Sequence, residues 1–464
     1  MAKRQMGSEN TCTHRTMVKR KGSGLQLASL PTDILCKILS QLPIKEAVRT
    51  SILSAQWRYA WCCHSNLDFS FRFEQESTEG VESVLQQHSG LVDNIQFVGP
   101  FGDEQREQIE RWVNFATASK AKQLILDFSP ARPKKLEPCG LDLQLLDESN
   151  SLHLRAIKLC RVSLKMPLVF KGFQKLRWIY LADMDITDEG LKSLISNSTV
   201  LEFLGIAGIT GLRTLQISSD TLQHLQVYDC HRLGEMELNI LGLVKLEYRG
   251  PRVLLSPPGT LLTTNIRMEL VDACSLECIF IDLGNNVPDL ETLTVKCTEW
   301  KRPELPRNLH SFVHLKHLSM ELNIAGNIWN RKTDILDFAV LLVAAPFLEK
   351  LGFHMFVGCE HQRYSTEEGN VRSPPYSEPH IHLRTVEITG FYGQKDQLGL
   401  ALHILENSVV LEEMEINPSP AVLAADRPWL MGVPAYVMDG CQVALQFLRG
   451  RDHRNVVRVV TSSD

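Results

Sequence analysis

Histidines and cysteines come first, because short clusters of them hold metal ions. His310, His314 and His317 converge on one face only in a helix, where imidazoles about one turn apart could bind zinc. The string LKHLSM puts His317 on a strand instead, and the geometry fails. Cys274 and Cys278 lack a second ligand pair nearby, and the chain has no Cys-x-x-Cys. Acids and histidines are plentiful, but no spacing gathers them into a nucleophile and base. No P-loop, Gly-x-Ser-x-Gly elbow or dinucleotide fingerprint occurs. The expectation is a chain with no catalytic residues, no metal site and no cofactor.

The chemistry that recurs is recognition. The string Leu-x-x-Leu/Ile-x-Leu/Ile/Val starts at Leu154, Leu176, Leu201, Leu222, Leu290 and Leu315, and related strings start at Leu212, Leu243, Leu276, Leu348 and Leu383. On a strand the leucines point to one face and the residues between them to the other. Those intervening positions carry Trp178 and Tyr180, then Phe203, then His224, Gln226 and Tyr228. Burial does not require an aromatic stripe there, and aromatic side chains commonly anchor interfaces. These six are therefore the expected target-binding surface. The competing expectation is that neighbouring loops cover them. Exposed anchors predict that Trp178→Ala with Tyr228→Ala leaves the melting temperature unchanged, whereas core residues would lower it.

Many of the strings are spaced in the twenties, the period of leucine-rich repeats, with an irregular 11-residue step from Leu201 to Leu212. A single repeat cannot cover its own apolar face, so the repeats must stack into a solenoid. Asp188 and Glu189 open a helix carrying Leu191, Leu194 and Ile195 before the next string at Leu201, which completes one repeat. Upstream, Arg111 to Ala118 reads as an amphipathic helix and Lys122 to Phe128 as a strand, together leading into the solenoid. Residues 129–149, with Pro130, Pro133 and Pro138, read as an irregular loop, and 358–380 as a second, polar one.

At 464 residues, with 44% hydrophobic content, the chain can bury a large core, either as several domains or as one continuous solenoid. A net charge of −5 argues against a nucleic-acid footprint over the whole molecule. No apolar run approaches the roughly 20 residues of a membrane span, and the N-terminus lacks the apolar core of a secretory signal. The expectation is a soluble protein of the nucleus or cytoplasm, or both, without nucleic-acid or membrane partners. Its 12 scattered cysteines, among them Cys36 and Cys160 in apolar patterns, read as reduced thiols. Residues 1–24, with Lys3, Arg4, Arg15, Lys19, Arg20 and Lys21 against Glu9, read as a disordered basic tail.

Residues 30–61 read as three short helices. Pro31 opens the first, Ile34, Leu35, Ile38, Leu39 and Leu42 give its apolar stripe, and Pro43 breaks it. Ile44, Ala47, Val48, Ser51 and Ile52 restart the period, and a third helix is expected from Ser54, carrying Trp57 and Trp61. A unit this small buries too little surface to stand alone. Periodicity leaves two readings open, a helical cap on the larger body or a docking unit completed by a partner.

The string itself resembles the plant-type F-box. Leu30, Pro31, Ile34, Leu35, Ile38, Leu39, Val48, Arg49, Thr50, Ser51, Leu53, Ser54, Trp57 and Arg58 carry the match, and Gln56 departs from the usual Lys or Arg. Residues 380–418 resemble the FBD module that follows leucine-rich repeats in such proteins, through Leu383, Val386, Ile388, Gly390, Phe391, Gly393, Leu405, Glu406, Asn407, Leu411, Glu412, Met414 and Ile416. Together these are similar to the plant F-box/FBD/leucine-rich-repeat family. The resemblance implies an α/β architecture: an F-box at 25–67, a solenoid with its lead-in segment at 68–379, an FBD-like cap at 380–418, and an extension at 419–464 packing on the solenoid end. It also implies a non-catalytic receptor of a cullin-RING ubiquitin ligase. That receptor would dock a Skp-type adaptor, and through it cullin, by Leu30, Pro31, Ile34, Leu35, Ile38, Leu39, Val48, Leu53 and Trp57. An unidentified target protein would be captured on the repeats. The alternative is a repeat scaffold acting outside any ligase.

Overall fold

The computed structural model describes residues 30–53, 55, 57–71, 78–129, 137–167, 169–256, 263–270, 283, 284, 286, 287, 289–299, 312–324, 334–357, 364, 370–374, 378–419 and 435–460. The basic tail at 1–24, the string at Leu276, His310, Cys274, Cys278 and most of 358–380 lie outside them.

One parallel sheet of 15 strands runs through the molecule, and its spatial order is its sequence order. The strands are β1 (Asn66–Ser70), β2 (Asn94–Val98), β3 (Gln123–Asp127), β4 (Ala156–Cys160), β5 (Trp178–Ala182), β6 (Phe203–Ala207), β7 (His224–Tyr228) and β8 (Lys245–Gly250). They continue as β9 (Asn265–Leu270), β10 (Thr292–Glu299), β11 (His317–Ile324), β12 (Lys350–Val357), β13 (Thr385–Thr389), β14 (Glu413–Asn417) and β15 (Val457–Val459). The alternation has a simple outcome. In β5 and β7, Ile179, Leu181, Leu225 and Val227 are buried on one face, while the residues between them form an open face.

Helices α1 (Thr32–Leu39) and α2 (Ile44–Arg49) precede the sheet; α3 (Glu79–Gln87), α4 (Arg106–Ala118), α5 (Asp188–Ser196), α6 (Val340–Ala344), α7 (Lys395–Asn407) and α8 (Ala435–Val443) lie between strands. α4 buries Ile109, Trp112, Val113 and Ala116, and Trp112 stacks on Phe97 of β2 at 4.6 Å between centroids. α5 begins as its sequence demands, with the Thr187 hydroxyl accepting from the Gly190 amide at 3.2 Å.

Four expectations need correction. The string at Leu212 does not join the main sheet: Thr214–Ser219 pairs with Glu235–Ile240, which pairs with Leu254–Ser256, in a separate three-stranded sheet. This accounts for the 11-residue step, because one turn of the solenoid there carries a strand on each side. The region 129–149 is not a plain loop, since Cys139–Asp142 forms a strand paired with Val162–Lys165 and Leu143–Leu146 a 3-10 turn. No α-helix starts near Ser54 among the described residues; 3-10 turns stand at Thr50–Ile52 and Ala60–Cys63. Segment 380–418 does fold as strand, helix, strand, but β15 pairs beyond it on β14, so it is not the last layer of the stack.

Candidate functional site

The first surface lies on the N-terminal helices. An apolar stripe of four residues on a two-turn helix, with Leu42 three residues beyond its end, is wider than one packing face needs, and the structure splits it. Leu35 and Leu39 are fully buried, whereas Ile34, Ile38 and Leu42 remain 40%, 39% and 38% exposed. Trp57 and Trp61 are also buried, in a core continuous with Leu67 of β1. Leu30 and Val48 are half-buried against that core. Of the nine residues expected to meet an adaptor, Leu35, Leu39 and Trp57 therefore point inward. Exposed instead are Pro31, Ile34, Ile38 and Leu53, together with Leu42, Ile52 and Tyr59, which the resemblance did not select. Ile52 is 87% exposed and has no intramolecular reason to be apolar.

His64 joins these helices to the sheet. Its Nδ1 accepts from the Asn66 amide at 3.1 Å, so Nε2 carries the proton and donates to the Leu42 carbonyl at 2.9 Å. One side of the helices thus closes the sheet, and the other is left open.

The second surface is the open face of β5 to β8. Register places Trp178, Phe203, His224 and Lys245 in one row across four strands, and Tyr180, Gly205, Gln226 and Glu247 in the next. All six expected residues, Trp178, Tyr180, Phe203, His224, Gln226 and Tyr228, lie on this face, and all are half-buried rather than fully exposed. Much of that burial is mutual. The Trp178 ring stacks on Tyr180 at 5.9 Å and on Phe203 at 5.0 Å, and Phe203 meets His224 edge-on at 4.9 Å. Gly205 makes room for the stack, since a Cβ there would fall 2.2 Å from Cδ2 of Tyr180. The rings therefore hold part of the sheet surface together, and the expectation of unchanged melting on their removal gives way to a modest loss.

Beside the rings lies a polar network that the string reading passed over, although LVKLEY from Leu243 places Lys245 and Glu247 at the same intervening positions. Glu247 accepts from the Tyr228 hydroxyl at 2.6 Å and the Gln226 amide at 3.0 Å, and is ion-paired to Lys245. Burial alone would raise its pKa, but the Lys245 ammonium and the Tyr228 hydroxyl outweigh burial and hold it down at about 2. Burial pushes the Tyr228 hydroxyl up, and the Glu247 charge adds to the effect. Burial also lowers the pKa of His224, whose Nε2 lies 3.7 Å from Glu247 without a hydrogen-bond partner among the described residues. Arg249 pairs with Asp229 and lies over the Tyr228 ring, and Lys158 pairs with Asp127 at 2.8 Å and lies 5.6 Å from the Tyr180 centroid.

Among the described residues no group of three or more His, Cys, Asp or Glu could hold a metal ion. His314 is exposed and His317 opens β11. No described helix is long and apolar enough to cross a membrane.

Residues 27–68 match the F-box domain family, and residues 84–426 match the family described as At1g61320/AtMIF1, LRR domain. Three relatives from Arabidopsis thaliana are similar. F-box/FBD/LRR-repeat protein At1g13570 is 29% identical over 43% of this chain and 48% of its own length. F-box/LRR-repeat protein At3g26922 is 28% identical over 45% of this chain and 70% of its own. F-box/FBD/LRR-repeat protein At3g26920 is 24% identical over 88% and 95%. The match to the first of these thus spans about half of that protein's length.

Proposed function

We propose, from the premise that this chain belongs to the plant F-box/FBD/leucine-rich-repeat family, that it is the non-catalytic receptor subunit of a Skp-cullin-F-box ubiquitin ligase. The open face of Pro31, Ile34, Ile38, Leu42, Ile52 and Leu53 docks a Skp-type adaptor, and the open face of the repeats captures a target protein for ubiquitination. The observation that carries this reading is the division of α1. Leu35 and Leu39 already satisfy the chain's own packing, so Ile34 and Ile38 are apolar surface left over. An interface of standard size, roughly 1,200 to 2,000 Å² in total, would cover them by the helix-in-groove mode.

The test is capture of the purified full-length chain by a purified Skp-type adaptor, beside the double variant Ile34→Asp, Ile38→Asp. Loss of capture at an unchanged melting temperature is the expected result. Leu39→Asp should instead unfold the N-terminal unit, because a carboxylate would enter the core there. A folded intact chain that captures no adaptor would sink the ligase role and leave a repeat scaffold.

A further inference from the structure

Two thiols meet beneath the N-terminal helices. α1 packs on the 3-10 turn Ala60–Cys63, and the Cys36 thiol donates to the Ala60 carbonyl at 3.3 Å. A 3-10 turn aims that carbonyl at the amide three residues on, which is that of Cys63, so the same contact carries Cys36 to Cys63. Burial pushes the Cys36 thiol up, and the Cys63 sulfur, in hydrogen-bonding contact with it, pushes in the same direction. Cys63 is exposed and Cys36 half-buried, whereas Cys62 points into the core. The turn is itself anchored. The Cys62 carbonyl accepts from the Ser89 amide at 3.0 Å, and Gly90 packs so closely on the turn that a Cβ there would stand 3.0 Å from the Cys63 Cα. Cys36 thus faces an accessible thiol on a fixed support.

We propose that Cys36 and Cys63 form an oxidant-closed clasp, a disulfide that fastens α1 to the turn when the chain meets hydrogen peroxide. The exposed Cys63 sulfur attacks one peroxide oxygen, the O–O bond breaks, and a sulfenic acid forms with release of one water. The Cys36 sulfur then attacks the Cys63 sulfur. The S–S bond forms, the S–O bond breaks, and the departing hydroxide takes the Cys36 proton and leaves as water. In all, the two thiols lose two electrons and two protons, and the peroxide is reduced to two waters. Helix geometry places Cys36 about 160° around α1 from both Ile34 and Ile38, so the tie lies away from the apolar face and leaves it open. The clasp sets how firmly α1 is held, independently of what docks there.

The test treats the reduced full-length chain with hydrogen peroxide, blocks the remaining thiols and digests it without reductant for mass spectrometry. The expected product is a linked Cys36–Cys63 peptide, lighter than the sum of its parts by two hydrogens. Cys36→Ser should stop the reaction at the Cys63 sulfenic acid, which dimedone traps, and Cys63→Ser should leave Cys36 unlabelled. Cys441→Ser, which removes a half-buried thiol far along the chain, should leave the clasp intact. In hydrogen exchange the α1 amides of the oxidised chain should exchange on the order of a hundredfold more slowly than those of the reduced chain, because the closed segment 36–63 gains less freedom on opening. Melting curves establish that each serine variant folds. A folded chain that yields no Cys36–Cys63 peptide would overturn the proposal, as would a link that forms as readily in urea. So would dimedone labelling of Cys63 that is the same with and without Cys36, or unchanged exchange in α1 once the link has formed.

Discussion

Glu247 sits where a hydroxyl, an amide and an ammonium converge, so its charge is tied to the fold. Its folded pKa of about 2 lies below the usual 4.5, the sign of a carboxylate stabilised by its neighbours. Such a group contributes stability that is fully present above pH 4.5 and is lost as the pH falls toward 2. Glu247→Gln keeps the shape and removes the charge. The variant should melt below the wild type at neutral pH, and the gap should close as the pH is lowered through 4.5 toward 2. Thermal unfolding at a series of pH values checks this, and a constant gap would mean that shape, not charge, holds the network. The position was legible in the sequence as the second intervening residue of LVKLEY. Its burial was not, because that depends on Gln226 and Tyr228 of β7, which approach only when adjacent strands are in register.

At the scale of elements, the leucine strings located strands well. In each string that joins the main sheet, the strand starts two residues after the leading leucine, as with Leu154 and β4 or Leu222 and β7. Three of the main-sheet strands missed have other residues at that point, His64 before β1, Val92 before β2 and Thr263 before β9, each buried as a leucine would be, while β15 follows the exposed Asn455. Thr263 is tolerated because its hydroxyl donates to the Val244 carbonyl at 3.2 Å. Periodicity also found the apolar stripe of α1, but not which half of it faces outward, since that is set by the contact with the 3-10 turn at Ala60–Cys63. The turn after β13 shows a different constraint. Gly390 has φ +70°, and a Cβ there would lie 1.9 Å from the Met355 carbonyl oxygen. The Gly390 carbonyl also accepts from the buried Gln397 side chain at 3.0 Å, which fixes the start of α7. Gly390→Ala should therefore cost about 2 kcal/mol or more, from left-handed strain and displacement of β12. Chemical denaturation measures it. A loss under about 0.5 kcal/mol, the size of an ordinary surface change, would mean that the turn relaxes freely.

Across the whole molecule, the coincidence of spatial and sequence order has an energetic consequence. Each strand bonds its immediate sequence neighbours in the sheet, so stability is a sum of local repeat and interface contributions, and the two ends are the least supported. β1 has the N-terminal helices against it, with Leu67 in their shared core, whereas β15 is three residues long and among the described residues bonds β14 alone. Fourteen strand spacings, roughly 65 Å along the stack, separate them. Native-state hydrogen exchange should thus give a gradient, slowest at β6 to β8, faster at β1 and fastest at β15. Binding of an adaptor to the open face of α1 should slow β1 and the helices before it and leave β15 unchanged, because among the described residues only the repeats connect the two ends. Equal protection in all fifteen strands would mean that the solenoid opens only as a whole. In that case docking at one end would stabilise the open face of β5 to β8 as much as the helices it touches.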